Sequence, residues 1–161
     1  MLLLLIRHAE AEPRDAARWP DDAARPLVGK GRRRQRRMSR RLRRRGIVPD
    51  VLLASPWARA WETAEIVSDV VGCPPPVPCE ALAGPPDLGR LADVLGPREP
   101  DAVVALVGHD PWISELASLL LTGTPSGLAV DFPKSGILGI RADRLEPGAG
   151  TLLFFWRPRR A

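Results

Sequence analysis

The chain has 161 residues, of which 45% are hydrophobic and 27% are charged. This is the composition of an ordinary globular protein, and the length fits a single domain over residues 1–161, which argues against a disordered or fibrous chain. The apolar residues 1–6 are too short for a signal-peptide core or a membrane span and lead directly into Arg7. We therefore expect a cytoplasmic protein with no membrane partner.

The net charge of +5 arises from one segment of the chain. Residues 32–45 hold ten arginines and no acidic residue, whereas the rest of the chain is net acidic. This pattern indicates a solvated helix whose arginine stems cover apolar surface, and the alternatives are docking to an acidic partner or attraction of polyanions such as nucleic acid or polyphosphate. Because no aromatic residue is interleaved with the arginines, nucleic acid is not the expected partner.

The two cysteines, Cys73 and Cys79, flank a proline-rich stretch. Two thiols do not form a disulfide framework in a chain of this length, and no histidine lies nearby to complete a metal site. We expect both thiols to be reduced, and we expect neither a metal ion nor a cofactor.

The first predicted element is a strand over residues 2–6, a continuous apolar run that ends at charged residues and is typical of a buried parallel strand. Residues 11–28 are polar, contain proline and predict a loop. A helix follows over about 29–45, and its predicted inward face carries Gln35, Met38 and Leu42.

The remaining predicted elements alternate between strands and helices. They are, in chain order, a strand at 51–54, a helix to about 71, a short helix near 87–95, a strand at 103–107, a helix after Pro111, and strands at 137–140 and 152–156. Ser55 and Asp110 are each followed by proline, which predicts a helix cap with proline in the first turn. This order indicates an α/β fold with a mostly parallel central sheet and helices on its faces.

Three polar clusters follow predicted strands at the edge where such folds bind ligands. They are Arg7-His8, the stretch from Ser55 to Arg59, and the stretch Gly108-His109-Asp110. The chain contains only two histidines, and both lie at these positions. The convergence of two histidines and two arginines favours a functional site over a purely structural role of these side chains in packing.

These residue types suit phosphoryl transfer through a covalent intermediate. A neutral imidazole is a good nucleophile toward phosphorus, and guanidinium groups match phosphoryl oxygens with bidentate hydrogen bonds. A second histidine, when protonated, adds a donor and a positive charge beside the dianion. The site predicted in this way stabilises the transition state electrostatically without a metal ion.

The motifs resemble those of the histidine phosphatase superfamily, which is phosphoglycerate mutase-like. The similarity rests on Arg7-His8-Ala9, on Ser55-Pro-x-x-Arg59-Ala-x-x-Thr63-Ala64, and on Gly108-His109-Asp110-Pro111. The short length is most similar to the SixA branch, the phosphohistidine phosphatases. The resemblance implies a three-layer α/β/α sandwich in which His8 takes the phosphoryl group and Arg7, Arg59 and His109 bind phosphate.

Two positions depart from the family pattern. Ala9 stands where glycine is common, which is a small change. The family's larger members also use a general acid, for which Glu80 is the best-placed candidate and Asp87 a weaker one. Ser55 is a further candidate for phosphate contact, besides its role as a cap, and Lys134 could border the pocket.

The leading interpretation is a metal-independent phosphatase that forms a covalent phosphohistidine on His8 and acts on phosphohistidine-bearing protein. A phosphoramidate needs less help from an acid than a phosphate ester does, and the short segment 72–101 leaves little chain for a lid. The alternatives are a phosphatase of a small phosphorylated metabolite, and a non-catalytic module that binds phosphate or polyanions through residues 32–45.

Overall fold

The computed structural model describes residues 1–159, and these form one six-stranded sheet with helices on both faces. The strands are β1 (Leu2–Arg7), β2 (Val51–Ala54), β3 (Val77–Pro78), β4 (Val103–Gly108), β5 (Ile137–Arg141) and β6 (Thr151–Trp156). The helices are α1 (Gly29–Arg44), α2 (Ala58–Val71), α3 (Leu88–Leu95) and α4 (Trp112–Thr122). None of these helices is long and apolar enough to span a membrane.

The sheet has the strand order β3-β2-β4-β1-β5-β6. Neighbours among β3, β2, β4 and β1 are parallel, whereas β5 runs antiparallel to both β1 and β6. The expected mostly parallel sheet is therefore confirmed. β1 lies inside the sheet with a partner on each side, which accounts for its unbroken apolar sequence.

Side-chain alternation along β1 divides the core between the two faces of the sheet. Leu3 and Leu5 join a buried cluster that includes residues of α3 and α4, whereas Leu4 and Ile6 join one that includes residues of α1 and α2. All four side chains are fully buried. The structure thus has the three α/β/α layers that the family resemblance implies.

The helix predicted over 29–45 is confirmed, and its inward stripe of Gln35, Met38 and Leu42 is buried. Helix α2, in contrast, begins at Ala58 rather than at Pro56, because Trp57 is still in an extended conformation. The Ser55 hydroxyl accepts a hydrogen bond from the Trp57 amide at 3.3 Å, so it closes the turn before the helix instead of capping it.

Three short elements of the structure lie in segments for which the sequence predicted neither a strand nor a helix. Strand β3 is a two-residue edge strand containing Pro78, and proline cannot donate to a sheet ladder. Short 3-10 helices occupy Asp22–Ala24 and Glu80–Leu82. The 3-10 helix at Asp22–Ala24 contributes to the site described below.

Candidate active site

The backbone of His8 is fixed from both sides at the end of β1. Its amide donates to the Gly108 carbonyl at the end of β4, at 3.0 Å. On the other side, the Ser135 amide donates to the carbonyl of Arg7 at 3.1 Å. The end of β4 and the chain just before β5 therefore set the position of the predicted nucleophile, and His8 is only 7% exposed.

The imidazole of His8 is held in one tautomer by its own loop. Nδ1 lies 2.7 Å from the carbonyl oxygen of Ala9, and a carbonyl oxygen only accepts, so Nδ1 carries the hydrogen. Burial lowers the pKa of His8 well below 6.5, and the charges of Arg59 and Arg7 lower it further, although the hydrogen bond to the Ala9 carbonyl acts in the opposite direction. The ring is therefore neutral at pH 7, and Nε2 keeps the lone pair that a nucleophile needs.

A cavity of about 460 Å³ opens beside His8, and cationic side chains outnumber acidic ones in its lining. Its lining includes the predicted Arg7, Arg59 and His109, together with Arg14, Arg25 and Lys134. The carboxyl-bearing residues Glu10, Glu12 and Asp110 also line it. The clusters from β1, β2 and β4 thus meet at one edge of the sheet, and Lys134 borders the cavity as expected.

The guanidinium of Arg59 is buried at 3% exposure and oriented by the 3-10 helix at Asp22. Nη1 donates to the Asp22 carbonyl at 2.8 Å, and Nη2 donates to the Asp22 carboxylate at 3.1 Å. The Arg25 hydrogen bond and the charge of Arg59 lower the pKa of Asp22, although partial burial opposes this, so the carboxylate is ionised at neutral pH. Asp22 and Arg25 were not singled out from the sequence.

Arg7 is oriented by the chain preceding β5. Its Nη1 donates to the Phe132 carbonyl at 2.6 Å and lies 3.9 Å from a carboxylate oxygen of Asp110. Among the described residues, the Nε atoms of both Arg7 and Arg59 are buried without a hydrogen-bond partner. Each of these arginines, which the family resemblance predicts to bind phosphate, therefore keeps a buried donor without a partner among the described residues.

His109 is buried beside His8, with ring centroids 5.2 Å apart. Its Nε2 lies 2.8 Å from the Ser55 hydroxyl, so Ser55 contacts the second histidine. Burial, and then the charge of Arg59, lowers the pKa of His109 to about 3. The second histidine is therefore neutral in the free site, and it gains the predicted positive charge only if an incoming anion raises its pKa.

The two carboxylates predicted as general acids lie outside the cavity lining. Glu80 is exposed at the start of its 3-10 helix, and Asp87 caps α3 by accepting a hydrogen bond from the Arg90 amide at 3.0 Å.

Both cysteines are free thiols. Within residues 1–159, no group of three or more metal-binding side chains is assembled.

The comparisons with known proteins agree with this geometry. Residues 3–83 match a family model described as "Histidine phosphatase superfamily (branch 1)". A protein of Picosynechococcus sp. described as uncharacterized is 35% identical, over 96% of this chain and 94% of its own length. This chain belongs to the histidine phosphatase superfamily. The sequence-based prediction of the family is therefore confirmed.

Solved structures of the superfamily resemble the whole domain. The protein histidine phosphatase SixA in complex with tungstate superposes with a TM-score of 0.80 at 27% identity, covering 98% of this chain and 97% of that one. A mycobacterial glucosyl-3-phosphoglycerate phosphatase in complex with inorganic phosphate has a TM-score of 0.71 at 16% identity, covering 95% of each chain. The histidine phosphatase is thus of the SixA type in its fold, and its enzyme class is phosphatase.

Proposed function

We propose that this histidine phosphatase removes phosphoryl groups from phosphohistidine-bearing protein through a covalent intermediate on His8, within a single catalytic domain. The observation that carries the proposal is the hydrogen bond from Nδ1 of His8 to the Ala9 carbonyl. It leaves an unprotonated Nε2 in a cavity lined by Arg7, Arg59 and His109.

The proposed reaction has two displacement steps. Nε2 of His8 attacks phosphorus, the bond from phosphorus to the leaving nitrogen or oxygen breaks, and the leaving group takes up a proton. Water then attacks the phosphohistidine, the bond from phosphorus to Nε2 breaks, and inorganic phosphate leaves with His8 restored. Arg7 and Arg59 offset the charge of the phosphoryl oxygens in both steps.

Support for a phosphoprotein substrate comes from the position of the predicted general acid, which lies outside the cavity. A phosphoramidate nitrogen is easily protonated, so its cleavage needs less assistance than that of an alkyl ester. The predicted acid, Glu80, is exposed and does not line the cavity. The SixA structure, at 27% identity, is that of a protein histidine phosphatase.

We also propose a cytoplasmic location, where the two unpaired cysteines are stable as thiols.

A general-acid role for Glu80 stays a prediction, and leaving-group dependence tests it. If Glu80 protonates the leaving group, Glu80→Gln lowers kcat for an alkyl phosphate about a hundredfold or more, yet leaves an aryl phosphate with a good leaving group nearly unchanged. Asp87→Asn, which removes the weaker candidate, is the matched control. Equal kcat values for Glu80→Gln and wild type on the alkyl ester would remove Glu80 from the mechanism.

The second candidate function is hydrolysis of a small phosphorylated metabolite. The volume of the cavity, about 460 Å³, is that of a small-molecule site. The mycobacterial structure at 16% identity belongs to a glucosyl-3-phosphoglycerate phosphatase. A non-catalytic phosphate-binding module is the third possibility, and it predicts phosphate binding that survives loss of His8.

The deciding experiment measures phosphate release in EDTA by wild type, His8→Ala and His109→Ala. Each receives a phosphohistidine-bearing protein, a sugar phosphate and an aryl phosphate. We expect wild type to prefer the phosphoprotein and His8→Ala to be inactive. Brief exposure to labelled substrate should leave an acid-labile, base-stable phosphoryl group on wild type and on the slow His109→Ala, but none on His8→Ala. Activity of His8→Ala equal to wild type would overturn the nucleophile assignment.

A further inference from the structure

A second basic cavity, separate from the one beside His8, lies between helix α1 and the chain that follows strand β6. Its volume is about 490 Å³, and seven arginines, Met38 and Pro158 line it. Five of the arginines lie between Arg34 and Arg45 on α1 and its C-cap, and the other two are Arg157 and Arg159. We call this cavity the arginine groove.

The arginines of α1 reach the groove because they share one helical face. Arg34, Arg37, Arg41 and Arg44 are spaced by three or four residues, which is the spacing of neighbours along one side of a helix. At about 1.5 Å of rise per residue, the row from Arg34 to Arg45 is about 16 Å long. The groove is therefore an elongated strip of positive charge.

The charge of the groove is poorly compensated by the protein. Of the arginines that line it, Arg34 and Arg157 alone have a carboxylate within ion-pair distance among residues 1–159. The pKa of Arg41 is lowered by partial burial and then by the charges of Arg45, Arg159 and Arg44. Arg41 also stacks on Trp156 at 4.2 Å from the ring centre. Like charges held together in this way repel one another, and a bound polyanion would relieve that repulsion.

We propose that the arginine groove binds a linear oligophosphate, a chain of linked phosphate groups. Guanidinium groups match phosphate oxygens with planar pairs of hydrogen bonds, and a row of them matches a row of phosphates. Among residues 1–159, no aromatic ring lines the groove, so this part of the chain offers no platform for nucleobases there. Met38 and Pro158 are the only apolar lining residues in the part of the chain that the structure describes, which leaves few anchors for an acidic protein segment.

The test uses inorganic tripolyphosphate as the probe and calorimetry as the readout. All proteins carry His8→Ala, so that the probe is not consumed, and the result is independent of the proposed catalytic function. The test variant is Arg37→Ala with Arg44→Ala, two exposed residues of the groove. The matched control is Arg40→Ala with Arg43→Ala, which removes the same charge from exposed positions of the same helix outside the groove.

We expect the groove variant to bind tripolyphosphate about tenfold more weakly and the control variant to bind within about twofold of the parent protein. Binding should also persist after Arg59→Ala, which disables the cavity beside His8. Equal weakening in the groove and control variants would overturn the proposal, because it would indicate diffuse attraction to the helix. Loss of binding with Arg59→Ala, or tighter binding of single-stranded DNA or of a polyglutamate peptide than of tripolyphosphate, would also overturn it.

Discussion

The hydroxyl of Thr63 accepts a hydrogen bond from the Ala9 amide at 3.0 Å, across the gap between helix α2 and the loop after β1. The same hydroxyl donates to the Arg59 carbonyl at 2.6 Å. Thr63 is fully buried, so no water replaces these partners. One side chain thereby couples the loop that orients His8 to the helix that carries Arg59.

We expect Thr63→Val to slow phosphate release by about tenfold or more and to lower the free energy of unfolding by about 1–3 kcal/mol, because it leaves the buried Ala9 amide unpaired. Thr63→Ser, which keeps the hydroxyl, is the matched control and should retain most of the activity. Steady-state kinetics and urea denaturation measure the two effects. A Thr63→Val enzyme with the kcat of wild type would show that the loop is held by other contacts.

The depressed pKa values of both histidines predict a simple titration. His109, whose pKa is about 3, should take up no proton between pH 7.5 and 5, and the midpoint of His8 should lie well below 6.5 because burial lowers its pKa. Nitrogen NMR of the histidine-labelled protein resolves this directly, because the chain has only two histidines. The His8 signals should also report hydrogen on Nδ1. A midpoint near 6.5 for either ring would contradict the prediction.

Binding of a dianion should be coupled to proton uptake by His109. A negative charge beside the ring raises its pKa, so a ligand that binds the protonated form more tightly gains affinity as the pH falls. Sulfate is a suitable probe because it stays a dianion over this range. We expect its affinity to rise as the pH falls from 7 to 5, by up to about tenfold per unit for one proton.

Calorimetry in buffers of different ionisation enthalpy counts the protons taken up with sulfate. In His109→Gln the affinity for sulfate should become much less dependent on pH. Wild-type binding without proton uptake would show that His109 stays neutral in the complex.

Gly31 marks a close approach of helix α1 to the loop that follows His8. A Cβ atom at this position would lie 2.1 Å from the carbonyl oxygen of Glu10, which is backbone and cannot move aside cheaply. Gly31→Ala should therefore destabilise the fold by about 1–3 kcal/mol, as overpacking does, and slow catalysis by displacing the loop after His8.

Gly29 on the same helix is the matched control for Gly31. A Cβ atom there would meet only the flexible end of Arg33, at 3.4 Å. Gly29→Ala should leave the thermal midpoint unchanged or raise it slightly, since alanine favours helix. Equal thermal midpoints for the two variants would contradict the close approach.

The parts of the site that the sequence predicts are those that follow from strand ends. The apolar runs before His8 and His109 mark buried parallel strands, and parallel neighbours end at the same edge of a sheet. The two histidines and Arg7 could therefore be placed together without a structure. Arg59 follows from the same rule, because the strand before it pairs with the strand before His109.

Asp22 could not be predicted in the same way. It lies in a segment without hydrophobic periodicity, and its partner Arg59 is 37 residues away in the chain. Such a pairing depends on how the loop crosses the sheet edge, which local patterns do not encode. The start of α2 was misplaced because the Ser55-Pro56 signal fits both a helix cap and the turn that precedes a helix.

The position of β1 inside the sheet separates the proposed nucleophile from the rim of the cavity. His8 is anchored by the Gly108 carbonyl at the end of β4 and by the Ser135 amide just before β5, whereas Asp22 and Arg25 belong to a short 3-10 helix and its C-cap. Amide hydrogen exchange should accordingly be slowest at His8 and fastest along the rim of the cavity. A protein built in this way can acquire new substrates through insertions and substitutions in its rim while its reactive centre stays unchanged over evolutionary time.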